Sequence, residues 1–259
     1  MNKTERTINA WWSKGPQPGN FGDILTPILL DSLFGYKCVY THRPFPSGTL
    51  IGVGSIINHA GSNTIVWGSG MMRDNDTLKR DALYLSVRGP LTYEKLKEKR
   101  IPCNPVFGDP ALLMPKVFNK PDVQKKYEYG FFAHYVDTDQ VSKWYTGLPN
   151  IKVINPLDHN PLRVIAQVLE CEKIISSSLH GVIIAHAYGI PAVWVKHSDK
   201  LNGDGLKFKD YFQSVKLIPE CIDFQQRIPP EDLGKFNYQV DIDIDVNKIM
   251  KPLQAYLNE

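Results

Sequence analysis

The residues best suited to chemistry form a polar turn in the second half of the chain. Three serines, residues 176–178, follow a short apolar run, and Leu179, His180 and Gly181 come next. The run is typical of a strand and residues 182–188 have helical spacing, so the turn lies where a strand leads into a helix. Unpaired backbone N–H groups at a helix N-terminus attract anions. The sequence therefore predicts an anion site with His180 in the first helical turn.

The same turn has a plainer interpretation. Ser177 or Ser178 would serve only as the N-cap of the helix, which is a common use of serine. His180 would then be a solvated turn histidine. Spacing alone does not decide between a site and a cap, so both interpretations stay open.

Two further polar residues stand at other predicted strand-to-helix crossings. Asp23 follows a loop rich in glycine and proline, and it either caps the next helix or faces the crevice and accepts a proton. Arg88 directly follows an apolar strand predicted at 82–87. Its planar guanidinium can bind a carboxylate or phosphate through two hydrogen bonds, or it can pair with an acid at the surface. Asp109 stands at the tip of a later turn.

Glycines directly follow two apolar strands predicted at 49–53 and 64–67. Gly54 and Ser55 follow the first, and Ser69 stands between two glycines after the second. Glycine at the end of a buried strand lets backbone approach a ligand closely. Neither segment has the GxGxxG spacing or a P-loop, so no motif supports dinucleotide or ATP binding.

A loop at 196–212 contains several lysines, and Lys207 is among those that could close over an anion. The alternative is an ordinary solvated loop, because charge runs in proteins commonly lie at the surface.

Composition excludes several classes of protein. The chain has 259 residues, 42% of them hydrophobic, and a formal net charge of +3 without a block of lysine and arginine, so we expect no nucleic acid partner. Its four cysteines show no CxxC pair and no metal-ligand spacing, which indicates reduced thiols in a cytoplasmic protein without a metal. No apolar run approaches the ~18 residues of a membrane span. Attachment to the inner face of a membrane through a partner stays open.

Alternating strands and helices predict an α/β fold with mainly parallel sheets. A polar, proline-containing segment at 116–126 is the best linker, so we predict two Rossmann-like domains that face each other across a cleft. Their predicted bounds are 1–118 and 119–259, and a last helix at 246–257 could pack back on the first domain. Ligands of such sheets bind beyond the carboxyl ends of the strands, where Arg88, Asp23 and His180 are all predicted.

The ordered short motifs resemble one known family. They run from Asn20 to Phe212 and comprise NFGD, GVGSII, VWGSG, VRGP, VFGDPALL, IISSSLHG, HAYGIPAV and FKDYF. Together they are similar to the polysaccharide pyruvyl transferases, and within them to the ketal pyruvate transferases of xanthan-type exopolysaccharide synthesis. Many members have arginine before the Leu-His pair, whereas this chain has Ser178, as in the xanthan-type branch. Another cation would then replace that arginine.

The resemblance implies an activity and a fold. Members use phosphoenolpyruvate as donor and place a pyruvate ketal across two hydroxyls of a sugar, on a lipid-linked oligosaccharide or polymer. Their fold resembles glycosyltransferase type B, and we expect the N-terminal domain to face the acceptor. No cofactor beyond the donor substrate is expected.

In that scheme His180 donates a proton to the donor or holds the departing phosphate, and Arg88 clamps the other anionic group. Asp23 is the candidate base for the sugar hydroxyl, with Asp109 second. The remaining predicted substrate contacts are Asn20, Gly54, Ser55, Ser69, Ser177, Ser178, Leu179, Gly181 and Lys207.

Two other functions remain open. A nucleotide-sugar glycosyltransferase of the same fold would keep the cleft but hold a nucleotide diphosphate with a Glu or Arg/Lys pair. The sequence shows no clear pair of this kind, which counts against this function. A family member without catalysis would bind glycan or scaffold a synthesis complex, although the joint presence of Arg88, Asp23 and His180 argues against decay.

Overall fold

Two parallel sheets of five strands organise the molecule. The computed structural model describes residues 6–15, 21–120, 122–200 and 203–258. The first sheet has the strand order β2-β1-β3-β4-β5, and the second has the order β10-β9-β8-β6-β7. This confirms the α/β class predicted from the sequence, while the glycosyltransferase-like arrangement across a cleft stays a prediction.

The strands are short and parallel throughout each sheet. They are β1 (Arg6–Ala10), β2 (Tyr36–Tyr40), β3 (Leu50–Ile51), β4 (Ile65–Trp67), β5 (Leu83–Ser86), β6 (Tyr127–Phe132), β7 (Ile151–Val153), β8 (Cys171–Ser176), β9 (Ala192–Lys196) and β10 (Cys221–Asp223).

The α-helices and short 3₁₀ helices connect these strands. They are α1 (Leu25–Phe34), α2 (Pro90–Glu98), α3 (Met114–Val117), α4 (Thr138–Tyr145), α5 (Pro161–Leu169), α6 (Leu179–Ala187), α7 (Leu206–Ser214) and α8 (Asn247–Asn258), with 3₁₀ helices Ile57–His59, Pro110–Leu113 and Pro230–Lys235. None of the described helices combines the length and apolar character that a bilayer crossing requires.

The sequence pattern did not predict β2 and β10, which are two of the four edge strands in the described part of the chain; the other two are β5 and β7. Each lies at one end of its sheet and pairs with a single neighbour. An edge strand needs no continuous apolar run, because it is covered on fewer sides than a central strand. Both β2 and β10 alternate between more and less exposed residues, so neither shows the buried pattern that marks the central strands.

Helix α6 is the centre of the packing. All its residues from Leu179 to His186 are buried, and it packs on β8 and β9 as well as on the 3₁₀ helix Pro110–Leu113. We call the residues up to 118 the N-terminal half and the rest the C-terminal half. One hydrophobic cluster contains buried side chains of both halves, so α6 joins the two sheets through a shared core.

The C-terminal helix α8 lies against the first sheet. The indole Nε1–H of Trp67, in β4, donates a 2.7 Å hydrogen bond to the carbonyl of Ile249. The side chain of Ile249 also fills the space beside Gly108, where an added Cβ would lie 2.5 Å from its Cδ1 atom. The domain bounds at 118 and 119 stay a prediction.

Candidate active site

His180 reaches across to the N-terminal half from the first turn of α6. Its Nε2 lies 3.6 Å from Oδ2 of Asp109, and among the described residues neither atom has a hydrogen-bond partner. Oδ1 of Asp109 accepts a hydrogen bond from the backbone N–H of Ala111. The other face of the imidazole lies on Gly22, where an added Cβ would be 1.8 Å from Nδ1. Glycine at position 22 therefore makes room for the ring.

Arg88 is completely buried just beyond β5. Its Nη1 donates a 2.6 Å hydrogen bond to Oγ of Ser55, and its Nη2 donates one of 2.6 Å to the carbonyl of Met71. Nη2 also lies 3.2 Å from Oδ2 of Asp210. An added Cβ on Gly70 would lie 2.5 Å from the guanidinium carbon. The group is thus tightly enclosed, with its charge balanced by a carboxylate from the other half.

Asp210 is a residue that the sequence interpretation missed. It lies on α7, and its Oδ1 accepts a 3.0 Å hydrogen bond from the backbone N–H of Thr92 in α2. Its Oδ2 accepts a 2.7 Å hydrogen bond from the Thr92 hydroxyl. One carboxylate thus stabilises the first turn of α2 and balances Arg88. The FKDYF motif contained this residue but gave no sign of partners 118 positions away.

Lys207 brings a second cation to the same region from the start of α7. The residue is only 7% exposed. Burial and then the nearby charge of Arg88 lower the pKa of Lys207 to about 8, and the carboxylate of Asp23 opposes this shift. Lys207 also lines a cavity of about 410 Å³ at the end of β9, together with Trp194 and Lys209. The ammonium group is therefore placed between the buried cluster and an accessible cavity.

Asp23 is buried just before α1 and lies against the chain after β3. An added Cβ on Gly54 would be 2.2 Å from Oδ1 of Asp23, and Gly54 has a φ of 120° that favours glycine. The carbonyl of Gly54 accepts a hydrogen bond from Oγ of Ser69, so Ser69 supports this turn from behind. Ile24, not Asp23, occupies the N-cap position of α1.

The serine turn is held by hydrogen bonds to its neighbours. Oγ of Ser177 accepts a 2.9 Å hydrogen bond from the backbone N–H of His134. Ser178 occupies the N-cap position of α6 without a capping bond from its side chain. Leu179 is buried in the shared core. Gly181 allows close packing, since an added Cβ would lie 2.3 Å from Oγ of Ser176.

His134 is the second residue that the sequence interpretation missed. It lies two residues after the end of β6 and is half-buried. Burial, followed by the charges of Lys207 and His180, lowers the pKa of His134 to about 3. The ring is therefore neutral near pH 7. Its position after a central strand of the second sheet is the signal that could have found it.

Two dipeptides connect the groups of the two sheets. Gly22 contacts His180, and the adjacent Asp23 contacts Gly54. Ser55, which follows Gly54, accepts a hydrogen bond from Arg88. The structure thus brings Arg88, Asp23, Lys207, His180 and Asp109 into one region at the carboxyl ends of both sheets. The predicted contact Asn20 lies outside the described residues. Within the described residues, no three His, Cys, Asp or Glu side chains are grouped as a metal site.

The fold and these groups define an α/β protein with acid–base and cationic side chains between two parallel sheets. A family model described as polysaccharide pyruvyl transferase matches residues 20–199. The chain belongs to the polysaccharide pyruvyl transferase family, as the motifs predicted.

Two relatives and one solved structure show how far the similarity extends. The uncharacterized protein L143 of Acanthamoeba polyphaga mimivirus is 31% identical over 217 residues, which cover 80% of this chain and 75% of that protein. The succinoglycan biosynthesis protein ExoV of Rhizobium meliloti is 29% identical over 212 residues, 77% of this chain and 62% of its own length. A crystal structure of the Klebsiella pneumoniae protein KP1_0663 matches with a TM-score of 0.47 and 13% identity, over 84% of this chain and 92% of that one.

Proposed function

We propose that this chain transfers the pyruvyl group of phosphoenolpyruvate onto two hydroxyls of one sugar and releases phosphate. The acceptor is a lipid-linked oligosaccharide or surface polysaccharide, which the succinoglycan biosynthesis relative supports. The observation that carries the proposal is the pairing of His180 with Asp109 beside Lys207 and Arg88, in a chain of this family. A glycosyltransferase-like arrangement of the two halves is part of the proposal.

The reaction balances without an oxidant or reductant. A proton adds to the methylene carbon of the donor, so C2 becomes an electron-poor centre. One sugar hydroxyl forms a C–O bond at C2, and a second hydroxyl forms another as the bond from C2 to the phosphate oxygen breaks. Of the two protons that the hydroxyls lose, one replaces the proton given to the methylene carbon and the other leaves on phosphate.

Lys207 and Arg88 have different parts in binding the donor. Phosphoenolpyruvate carries a phosphate and a carboxylate, so its site needs a cation and several N–H donors. Lys207 lines a cavity and supplies a cation that can reach an anionic group. Arg88 donates a hydrogen bond to Ser55 and adds positive charge next to the donor site. Its Nε–H is buried and has no hydrogen-bond partner among the described residues. Backbone N–H groups of Leu179 and His180 at the start of α6 bind the other anionic group in this proposal.

His180 and Asp23 carry the proton transfers. His180 donates the proton to the methylene carbon, and the carboxylate of Asp109, 3.6 Å from Nε2, orients the ring. Asp23 lies on the N-terminal half and accepts a proton from the sugar hydroxyl. Gly54 makes room for the Asp23 carboxylate, because an added Cβ at position 54 would lie 2.2 Å from Oδ1.

Mass spectrometry of the products tests the proposal directly. Purified protein is incubated with phosphoenolpyruvate and a panel of lipid-like glycosides. We expect the mass increment of a pyruvate ketal on an acceptor, with one phosphate released for each ketal formed. The protein with His180→Ala is the control for contaminating activity. Sugar transfer from a nucleotide sugar, with no pyruvylated product, would contradict the proposal.

A further inference from the structure

An aromatic cluster that the proposed chemistry does not use lies beside the site. Trp11 directly follows β1, and its ring centroid is 4.9 Å from that of His59 and 5.6 Å from that of Phe45. The guanidinium carbon of Arg43 lies 5.3 Å from the Trp11 ring and 5.5 Å from the Phe45 ring. We call these four side chains the Trp11 shelf.

The Trp11 shelf occupies the same edge of the first sheet as the proposed site. All strands of that sheet are parallel, so Trp11 after β1 and Gly54 after β3 emerge on one side. Strands β1 and β3 are neighbours, and neighbouring strands are about 4.8 Å apart. His59 ends the 3₁₀ helix that begins two residues after Ser55, the partner of Arg88. A short oligosaccharide can therefore reach from the shelf to the site.

The shelf combines core packing with an accessible surface, since Trp11 packs against a hydrophobic cluster and no shelf residue is fully buried. Trp11, Phe45 and His59 are half-buried, and Arg43 is exposed. Burial and the charge of Arg43 lower the pKa of His59, while Asp76 opposes this, so the imidazole stays neutral near pH 7. Half-buried aromatic rings offer apolar faces, and a guanidinium offers several N–H donors. Sugars have the matching surface, with C–H faces and a rim of hydroxyls.

We propose that the Trp11 shelf binds the sugar residues next to the pyruvylated one in an uncharged oligosaccharide acceptor. The identity of the bound chain as an acceptor rests on the proposed function. The position of Asp23 favours this surface, because the base that receives the hydroxyl proton lies on the N-terminal half. A groove of about 750 Å³ beside Tyr135, on the C-terminal half, is the competing surface.

Binding measured without donor tests the shelf. Cellotetraose and lacto-N-neotetraose are titrated by saturation-transfer NMR against wild-type protein and the variants Phe45→Ala, His59→Ala and Tyr135→Ala. We expect each shelf substitution to weaken binding about three- to tenfold. Tyr135→Ala is the matched control, since Tyr135 is an aromatic residue that is 38% exposed, and it should bind as wild type. Circular dichroism and thermal midpoints confirm that each variant is folded.

The outcomes separate the shelf from the proposed function. Unchanged affinity in both shelf variants, weakened binding in Tyr135→Ala alone, or no wild-type binding up to about 10 mM of either sugar overturns the shelf. Pyruvyl transfer with a wild-type acceptor KM in Phe45→Ala overturns only the shelf. Tetrasaccharide binding that depends on Phe45, in a protein that transfers no pyruvate, supports the shelf and overturns only the proposed function.

Discussion

At the scale of single residues, Lys207 shows how burial prepares a side chain for binding. Removal from water disfavours the ammonium form, and Arg88 adds repulsion, so the pKa of Lys207 falls to about 8. A buried cation that lines a cavity is costly in the free protein and gains most when an anion arrives. The same charge therefore lowers stability and favours a ligand.

Lys207→Met is expected to raise the KM for phosphoenolpyruvate more than tenfold. The same substitution should increase the free energy of unfolding at about pH 7 by on the order of 1–3 kcal/mol, because it removes a buried charge. The unfolded lysine keeps its proton up to about pH 10.4. Between about pH 8 and 10.4 the unfolded state thus binds more protons, so wild-type stability contributed by this group rises with pH. Urea unfolding at about pH 7 and 9.5 measures the difference between the two proteins.

In wild type the KM for phosphoenolpyruvate should also rise as the pH passes about 8, because Lys207 then loses its charge. Lys207→Arg keeps the charge and should remove this rise. A donor KM that does not change with pH or with Lys207→Met would show that Lys207 does not contact the donor.

His180→Ala is expected to lower kcat by about 10²–10⁴-fold, as for other lost general acids. The measurement is phosphate release from phosphoenolpyruvate in the presence of acceptor. The exposed His42 is the matched control, and His42→Ala should keep wild-type turnover. Near-normal turnover in a folded His180→Ala protein would return this residue to a packing role.

At the scale of elements, helix α7 carries both a residue of the proposed site and a residue that binds the other half. Lys207 and Asp210 are three residues apart, so they lie on the same side of the helix. Lys207 reaches the proposed site while Asp210 holds Arg88 and the start of α2. The position of the cation thus depends on a contact with the other half.

Asp210→Ala should lower the free energy of unfolding by about 3–5 kcal/mol, because it leaves a buried guanidinium without its carboxylate. Thr92→Ala, which removes a hydroxyl that donates to Asp210 and accepts from the backbone N–H of Met71, should cost about 1–3 kcal/mol. Combining Arg88→Met with Asp210→Leu removes both charges and should restore most of the stability lost in Asp210→Ala. Denaturant unfolding measures all three variants.

The same double variant tests whether Arg88 contributes to donor binding as well as to stability. A folded Arg88→Met, Asp210→Leu protein with a raised KM for phosphoenolpyruvate supports a contribution of Arg88 to the donor site. A wild-type donor KM in that protein would assign Arg88 to packing alone. If the double variant is no more stable than Asp210→Ala, the ion pair is not what stabilises this interface.

At the scale of the whole molecule, the candidate groups come from both halves. Arg88 and Asp109 stand on one half, and Asp210, Lys207 and His180 stand on the other. An anion held by such a set contacts both sheets at once. Binding therefore couples to the stability of the interface and not only to that of one sheet.

Phosphoenolpyruvate should raise the thermal midpoint, and at about 100 times its Kd it should add about 2.7 kcal/mol to the free energy of unfolding. Uridine diphosphate at the same concentration should give no such shift. Differential scanning fluorimetry measures both, with Lys207→Met as the control that loses the response. Stabilisation by uridine diphosphate alone would instead favour a nucleotide-sugar glycosyltransferase.

Much of this protein follows from its sequence. Central strands such as β4 are continuous apolar runs, and glycine or serine directly after them marks the carboxyl edge where ligands bind. The motifs around Asp23, Arg88 and His180 also predicted the family. These features are local, because the residues that define them lie within a few positions of one another.

Only the tertiary structure decided which groups meet. Asp210 binds Arg88 and Thr92, and Asp109 faces His180, across separations that no local pattern records. The lowered pKa values of Lys207 and His134 depend on burial between the two halves. The formation of the edge strands β2 and β10 likewise depends on the strands with which they pair. Burial and charge pairing depend on how the two sheets pack, and that packing depends on the whole chain.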